Sequence, residues 1–203
     1  MYAERKLPPL PDEDWYRNEE EFLALCPPEY QDHNSLHWTP LSIVERSVQF
    51  LSDRPDPKIL DIGSGIGKFC LAGSKYNPNA SFYGVEHREH FDDFARHLKK
   101  KLKLGNVHFI NGNFIDLDFS DYTGFYFFNA FFENLEDVEK IDETVMMAES
   151  LFTYYNSALK AKLDVLATGT RFISFHSLDE EIPSSYKLVE QDFNGRLKFW
   201  EKG

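Results

Sequence analysis

The feature that most constrains this chain is an apolar run that ends in an acid and breaks into three alternate glycines. In KILDIGSGIGKFCLAG, residues 58–73, a strand-like stretch reaches Asp61, Gly63, Gly65 and Gly67 follow, and an apolar-rich stretch then reads as a helix. Glycine permits the positive φ that a tight strand-to-helix turn requires, and it leaves no Cβ between backbone and ligand. A helix beginning at such a turn also points free N–H groups at whatever lies there. The loop is therefore either a ligand cradle or a bare turn opening a βαβ unit.

The remaining pattern favours an α/β fold. TPLSIVERSVQFL reads as a helix with Thr39 as N-cap, Pro40 at the first position and Leu41, Val44, Val48 and Leu51 on one face. SFYGVE and NVHFI are short apolar runs of buried-strand length, GFYFFNAFF contains a fourth strand and TRFISFHS reads as a fifth. Helical periodicity separates them, in GKFCLAGSKY, in REHFDDFARHLKKKLKLG and in a long run VEKIDETVMMAESLFTYYNSALKAKL. In that long run Ile141, Val145, Ala148, Phe152, Tyr155 and Leu159 share a stripe. The tail alternates on either side of Phe193-Asn194-Gly195, a hairpin signal. The expectation is a mostly parallel seven-stranded sheet with helices on both faces and a C-terminal antiparallel β-hairpin. Residues 39–203 form that domain. Residues 1–38, Pro-rich and polar, read as an N-terminal extension with one short helix near Glu19–Cys26 and otherwise an extended arm.

Two phosphate-binding readings of the glycine loop fail. A P-loop needs glycine at position 62 and Ser or Thr at 69, where the chain has Ile62 and Phe69. The dinucleotide fingerprint needs glycine at 68, where it has Lys68. Asp61 suits an amino-bearing or cationic ligand better than a pyrophosphate. Glu86, at the end of the second strand and about twenty residues on, has the spacing of a ribose-hydroxyl acceptor, with both carboxylate oxygens free to take two vicinal hydroxyls. Asn113 and Phe114, after the third strand, would meet an adenine ring by hydrogen bond and by packing.

In their order LDIGSGIG, GVEHR, NGNF, FFNAFF and the closing hairpin resemble the class I S-adenosylmethionine-dependent methyltransferases over residues 39–202. The resemblance implies S-adenosylmethionine as cofactor. It implies a cofactor loop of Gly63, Ser64, Gly65 and Gly67, Asp61 near the methionine amino group, and Glu86 on the ribose. Asn113 stands where many members have Asp, and its carbonyl can still accept from the adenine amino group. His87 would flank the adenine, and Trp38 and Thr39, at the end of the arm, would touch the cofactor. A non-catalytic module that binds S-adenosylmethionine and acts through a protein partner is the alternative.

The segment after the fourth strand, FFNAFF, is where a methyl acceptor is expected, with Asn129 orienting it and Phe131 and Phe132 as aromatic neighbours. It is similar to the Asn-Pro-Pro-aromatic motif of amino-directed methyltransferases, although Ala130 and Phe131 replace both prolines. It is closer to the seven-strand, non-SET histone lysine methyltransferases, from which only Asn129 and one aromatic carry over. The implied acceptor is an amine on a protein or small molecule, and no general base is evident. A net charge of −12 argues against a general nucleic-acid or anionic-membrane binder. The one basic cluster, Arg96 with Lys99, Lys100, Lys101 and Lys103, reads as a solvated helix face. Two distant cysteines and no apolar run of membrane length fit a cytoplasmic protein. His33 and His37 lack a third ligand, so no metal site is expected.

Overall fold

The central strands form where the apolar runs predict them, because they are covered on both faces. The computed structural model describes residues 13–203. Its strands are β1 (Lys58–Ile62), β2 (Ser81–Glu86), β3 (Val107–Asn111), β4 (Gly124–Phe128), β5 (Arg171–Phe175), β6 (Tyr186–Asp192) and β7 (Leu197–Lys202). They form one sheet in the order β3-β2-β1-β4-β5-β7-β6, with β1 to β5 parallel and β7 antiparallel to both neighbours. After β3 the chain returns past β1 to lay down β4 on the other side. That reversal opens a crevice beyond the carboxyl ends of β1 and β4, where open α/β sheets bind ligands.

Alternation along each strand divides the core between two layers. Ile59, Phe82 and Tyr126 pack under the helices α3 (Leu41–Leu51), α4 (Lys68–Tyr76) and α5 (Glu89–Lys101), while Leu60, Ile62, Phe125, Phe127 and Phe172 face α6 (Glu149–Asp164). The hairpin turns through three left-handed residues, Phe193, Asn194 and Gly195, as the Asn-Gly signal predicts.

Three expectations are corrected. Thr39 does not cap α3: its hydroxyl pairs with Tyr126 Oη at 3.1 Å, and the free Leu41 N–H donates to Glu19 Oε1 at 2.6 Å. The long helix starts only at Glu149, since tertiary contacts hold residues 135–148 irregular. Within that segment Ile141 N–H donates to Glu133, and Asp142 takes the Arg88 guanidinium and both Thr144 donors. The short helix expected near Glu19–Cys26 is present, but the rest of residues 13–38 is not an extended arm. The segment forms α1 (Glu19–Leu23) and α2 (Pro28–Gln31), and it buries Trp15, Phe22, Leu25, Tyr30 and Trp38 in the first layer of the core. Glu19 and Asn34 both accept from Lys68 Nζ, at 2.5 and 2.9 Å, which ties this segment to α4. The first twelve residues of the extension lie outside the described residues.

Candidate functional site

A cavity of about 900 Å³ opens at the crevice, floored by the loops that follow β1, β2, β4 and β5. The glycine loop folds as its composition requires, with φ of +77° at Gly63, +52° at Gly65 and +78° at Gly67. Gly63 and Ser64 both donate to the Val85 carbonyl at 3.0 Å, which ties the loop to β2.

Glu86 is buried at the cavity wall, and its carboxylate is not free as expected. Oε2 accepts from Gly65 N–H and Oε1 from Arg88 N–H, both at 2.9 Å. Each oxygen keeps a second lone pair, so the two amides fix the carboxylate in place and leave it able to accept from a ligand. Asn113 is likewise partly committed: its carbonyl caps the following turn at Ile115 N–H, 3.1 Å, and its amide reaches Tyr155 Oη at 3.3 Å. Phe114 stacks on Phe131 with centroids 5.1 Å apart, and Tyr155 closes on both rings. Phe131 thus belongs to an aromatic wall. Phe132 stands at the mouth, 44% exposed.

Asn129 enters the cavity from the turn after β4 in a left-handed conformation (φ +41°), which asparagine tolerates better than most residues. Its side-chain amide makes no hydrogen bond with the described residues. His87 lines the cavity, 3.9 Å from Glu86 Oε1, and Trp38 lies over Gly65, where an added Cβ would come within 2.7 Å of the indole.

Four expected cofactor residues do not line the cavity. Asp61 points with Ile59 into the first core layer, because neighbours two apart on a strand share a face. Its carboxyl lies 3.9 Å from Cys70 Sγ, and burial first, then the Glu86 charge, pushes it well above the usual range. Ser64 Oγ is buried without a partner beneath Gly84. Gly67 serves close packing: a Cβ there would come within 2.8 Å of both Phe109 and Ala95. Thr39 is occupied by Tyr126.

Sequence reasoning missed the far side of the cavity. Arg88, buried, pairs with Glu133 at 2.8 Å and Asp142 at 3.2 Å, drawing residues 139–147 across the opening. His176, Phe193, Asn194 and Arg196 complete the rim from β5 and the hairpin. The position directly after β5 was the available signal for His176, since every strand end on this edge contributes to the site. The basic turn of α5 lies at the other end of the sheet, because that helix leaves the site at Glu89 and runs away from it. The His33 and His37 rings meet each other and Trp38 edge to face, His37 also lines the cavity, and among the described residues no cluster of three or more His, Cys, Asp or Glu is placed to hold a metal. No helix is long and apolar enough to cross a membrane among the described residues.

Known proteins resemble this chain in sequence and in fold. A tRNA (guanine-N(7)-)-methyltransferase of Synechococcus sp. (strain JA-3-3Ab) is 42% identical over 57 residues, 28% of this chain and 24% of that protein. A release factor glutamine methyltransferase of Fusobacterium nucleatum is 34% identical over 80 residues, 38% of this chain and 23% of that protein. The chain thus matches about a quarter of the length of these curated relatives. In fold it is similar to an RNA methyltransferase from Salinibacter ruber solved with S-adenosyl-L-homocysteine, with TM-score 0.56 and 18% identity over 81% of this chain and 91% of that one. The family model described as a methyltransferase domain matches residues 53–194, from the end of α3 to the hairpin turn. On that match, and with this sheet, the chain belongs to the methyltransferase domain family.

Proposed function

We propose that this protein transfers a methyl group from S-adenosylmethionine to a nitrogen acceptor on a protein or small molecule. The observation that carries the reading is Glu86, a buried carboxylate clamped by Gly65 and Arg88 N–H groups at the wall of a cavity lined by backbone at Gly63 and Gly65. Gly63 and Gly65 fit the cofactor because neither carries a side chain into the cradle. Bound there, S-adenosylmethionine supplies a methyl group activated by its sulfonium.

The chain's own residues do the rest. Glu86 accepts from the ribose hydroxyls, and the wall of Phe114, Phe131 and Tyr155 offers a flat apolar surface to the adenine. Asn129, with its amide uncommitted, orients the acceptor, and Phe132 borders its entrance. The segment held by Arg88 and Glu133 restricts water. Positioning and desolvation are what a direct displacement needs. The names of the relatives span tRNA and protein acceptors, so they do not choose one. The likeness of the post-β4 turn to histone lysine methyltransferases is supported by Asn129 and one aromatic alone.

Calorimetric titration with S-adenosylmethionine and S-adenosylhomocysteine tests the reading. Micromolar affinity, about −8 kcal/mol, is expected. In Glu86→Gln it weakens by roughly 1.5–3 kcal/mol, the range for a hydrogen bond to a charged group. A folded wild-type protein that binds neither ligand refutes the proposal.

A further inference from the structure

The chemistry of the cavity changes on the side away from the glycine loop, a compartment of the same space. It is bounded by Phe128, Phe175 and His176 from the ends of β4 and β5, and by Phe193, Asn194 and Arg196 from the hairpin. Arg46, Arg88, Arg96 and Arg171 each face a carboxylate. Arg196 makes no ion pair or side-chain hydrogen bond with the described residues, although the chain carries a net charge of −12. A cation left unpaired at a cavity mouth in so acidic a protein is a ready partner for an anion.

His176 stands beside it. Its backbone is left-handed (φ +58°) and is held there by its N–H, which donates to the Arg196 carbonyl at 2.9 Å. Its ring meets Phe175 edge to face at 4.4 Å and lies 5.8 Å from Phe128. From the geometry on this side of the cavity we infer that it selects a small acceptor molecule carrying a separate anionic group, which docks on Arg196 beside the His176 imidazole.

A coupling between the docked anion and the imidazole follows from what surrounds the ring. Phe128 on β4 and Phe175 on β5 carry no charge, and Arg196 on the hairpin is the charged group acting on it. Burial first, and then the Arg196 charge, hold His176 below the usual histidine range, so it is neutral at pH 7. An anion on Arg196 cancels the second influence, and the imidazole then becomes a stronger proton acceptor only when the acceptor molecule is in place. The inference rests on the methyl-transfer reading for its biological use, but the compartment's charge preference stands or falls separately.

Benzoate and benzamide have nearly the same shape and differ by one charge, so they probe the compartment directly. Each is titrated by NMR with and without S-adenosylhomocysteine, whose own binding is read by calorimetry in the same preparations. Benzoate is expected to bind roughly tenfold more tightly than benzamide, and Arg196→Gln to abolish the difference while S-adenosylhomocysteine binding is unchanged. The titration midpoint of the His176 imidazole is expected to move upward on saturation with benzoate and to stay in place with benzamide. Equal binding of the two probes, tighter binding of benzylamine, or an unmoved His176 midpoint overturns the inference. Preference for a short single-stranded RNA, competing with benzoate, would assign the anion to a polymer and overturn the small-molecule claim. Loss of S-adenosylhomocysteine binding with the benzoate preference intact would instead count against the cofactor reading.

Discussion

Replacing Gly63 by alanine would put a methyl carbon 2.3 Å from Cβ of Ala130, which stands on the turn after β4. Carbon atoms in contact sit about 3.5–4.0 Å apart, so one of the two loops must yield by more than an ångström. Neither methyl can rotate away, because both are bonded directly to backbone. An L-residue in the left-handed region at φ +77° costs roughly 1–2 kcal/mol, and forcing an extra methyl into a packed site typically adds 1–3 kcal/mol. Gly63→Ala should therefore destabilise the protein by roughly 2–5 kcal/mol. Ala130→Gly removes the obstructing methyl, so in that background only the conformational penalty of roughly 1–2 kcal/mol should remain. The assay is urea unfolding of the four proteins in the double-mutant cycle, followed by tryptophan fluorescence, with the slopes compared to confirm one unfolding transition. The coupling should be favourable and of the order of 1–3 kcal/mol. Equal costs of Gly63→Ala in both backgrounds would refute the rigid contact between the glycine loop and the turn after β4.

Asp61 has a carboxyl raised in the folded state above its ordinary value of 3.8, so folding takes up a proton there. That term favours the folded state at low pH and is lost as pH rises from about 3.8 towards the folded value. Asp61→Asn should accordingly gain stability over wild type at pH 7 and little at pH 4; a difference independent of pH would contradict the assignment. Lys68, buried with Glu19 and Asn34, should destabilise by roughly 2–4 kcal/mol when changed to Ala, as a broken buried pair does with one partner still partly solvated. Amide exchange over residues 19–31 should accelerate in that variant, and unchanged protection there would show that the ion pair does not hold the segment. Asp142 is raised by burial, but the Thr144 hydrogen bonds and the Arg88 charge outweigh this and hold its carboxyl below the usual range. Asp142→Asn should speed exchange of the Ile141 amide and release of S-adenosylhomocysteine, with less than about 1 kcal/mol lost in global stability; an unaltered release rate would remove residues 135–148 from the path of the ligand.

Where the chemistry is local in the chain, it was legible without coordinates. The glycine loop, the strands on either side of it, Glu86 at the end of β2 and the hairpin at Asn194-Gly195 all follow from backbone sterics and short-range periodicity. These act between residues already joined or a few positions apart. The same periodicity misled at residues 138–148, where a helical stripe is real but Glu133, Asp142 and Arg88 hold the backbone in another conformation through contacts from separate elements. Thr39 looked like a cap because its own neighbours are those of a cap; the Leu41 N–H donates instead to Glu19, 22 positions away.

By itself the sequence determined the fold class and the edge of the sheet at which the cavity opens, since a parallel sheet must deliver its strand ends, and the loops after them, to one edge. Tertiary structure alone decided that Asp61 faces the core, because one-residue alternation tells which residues share a face but not which helical layer covers it. It alone brought Arg196 beside His176, since the antiparallel register of β5 with β7 joins positions that no local pattern relates. The β5 and hairpin side of the cavity is built from such long-range pairings, and its charge is therefore a property of the folded chain.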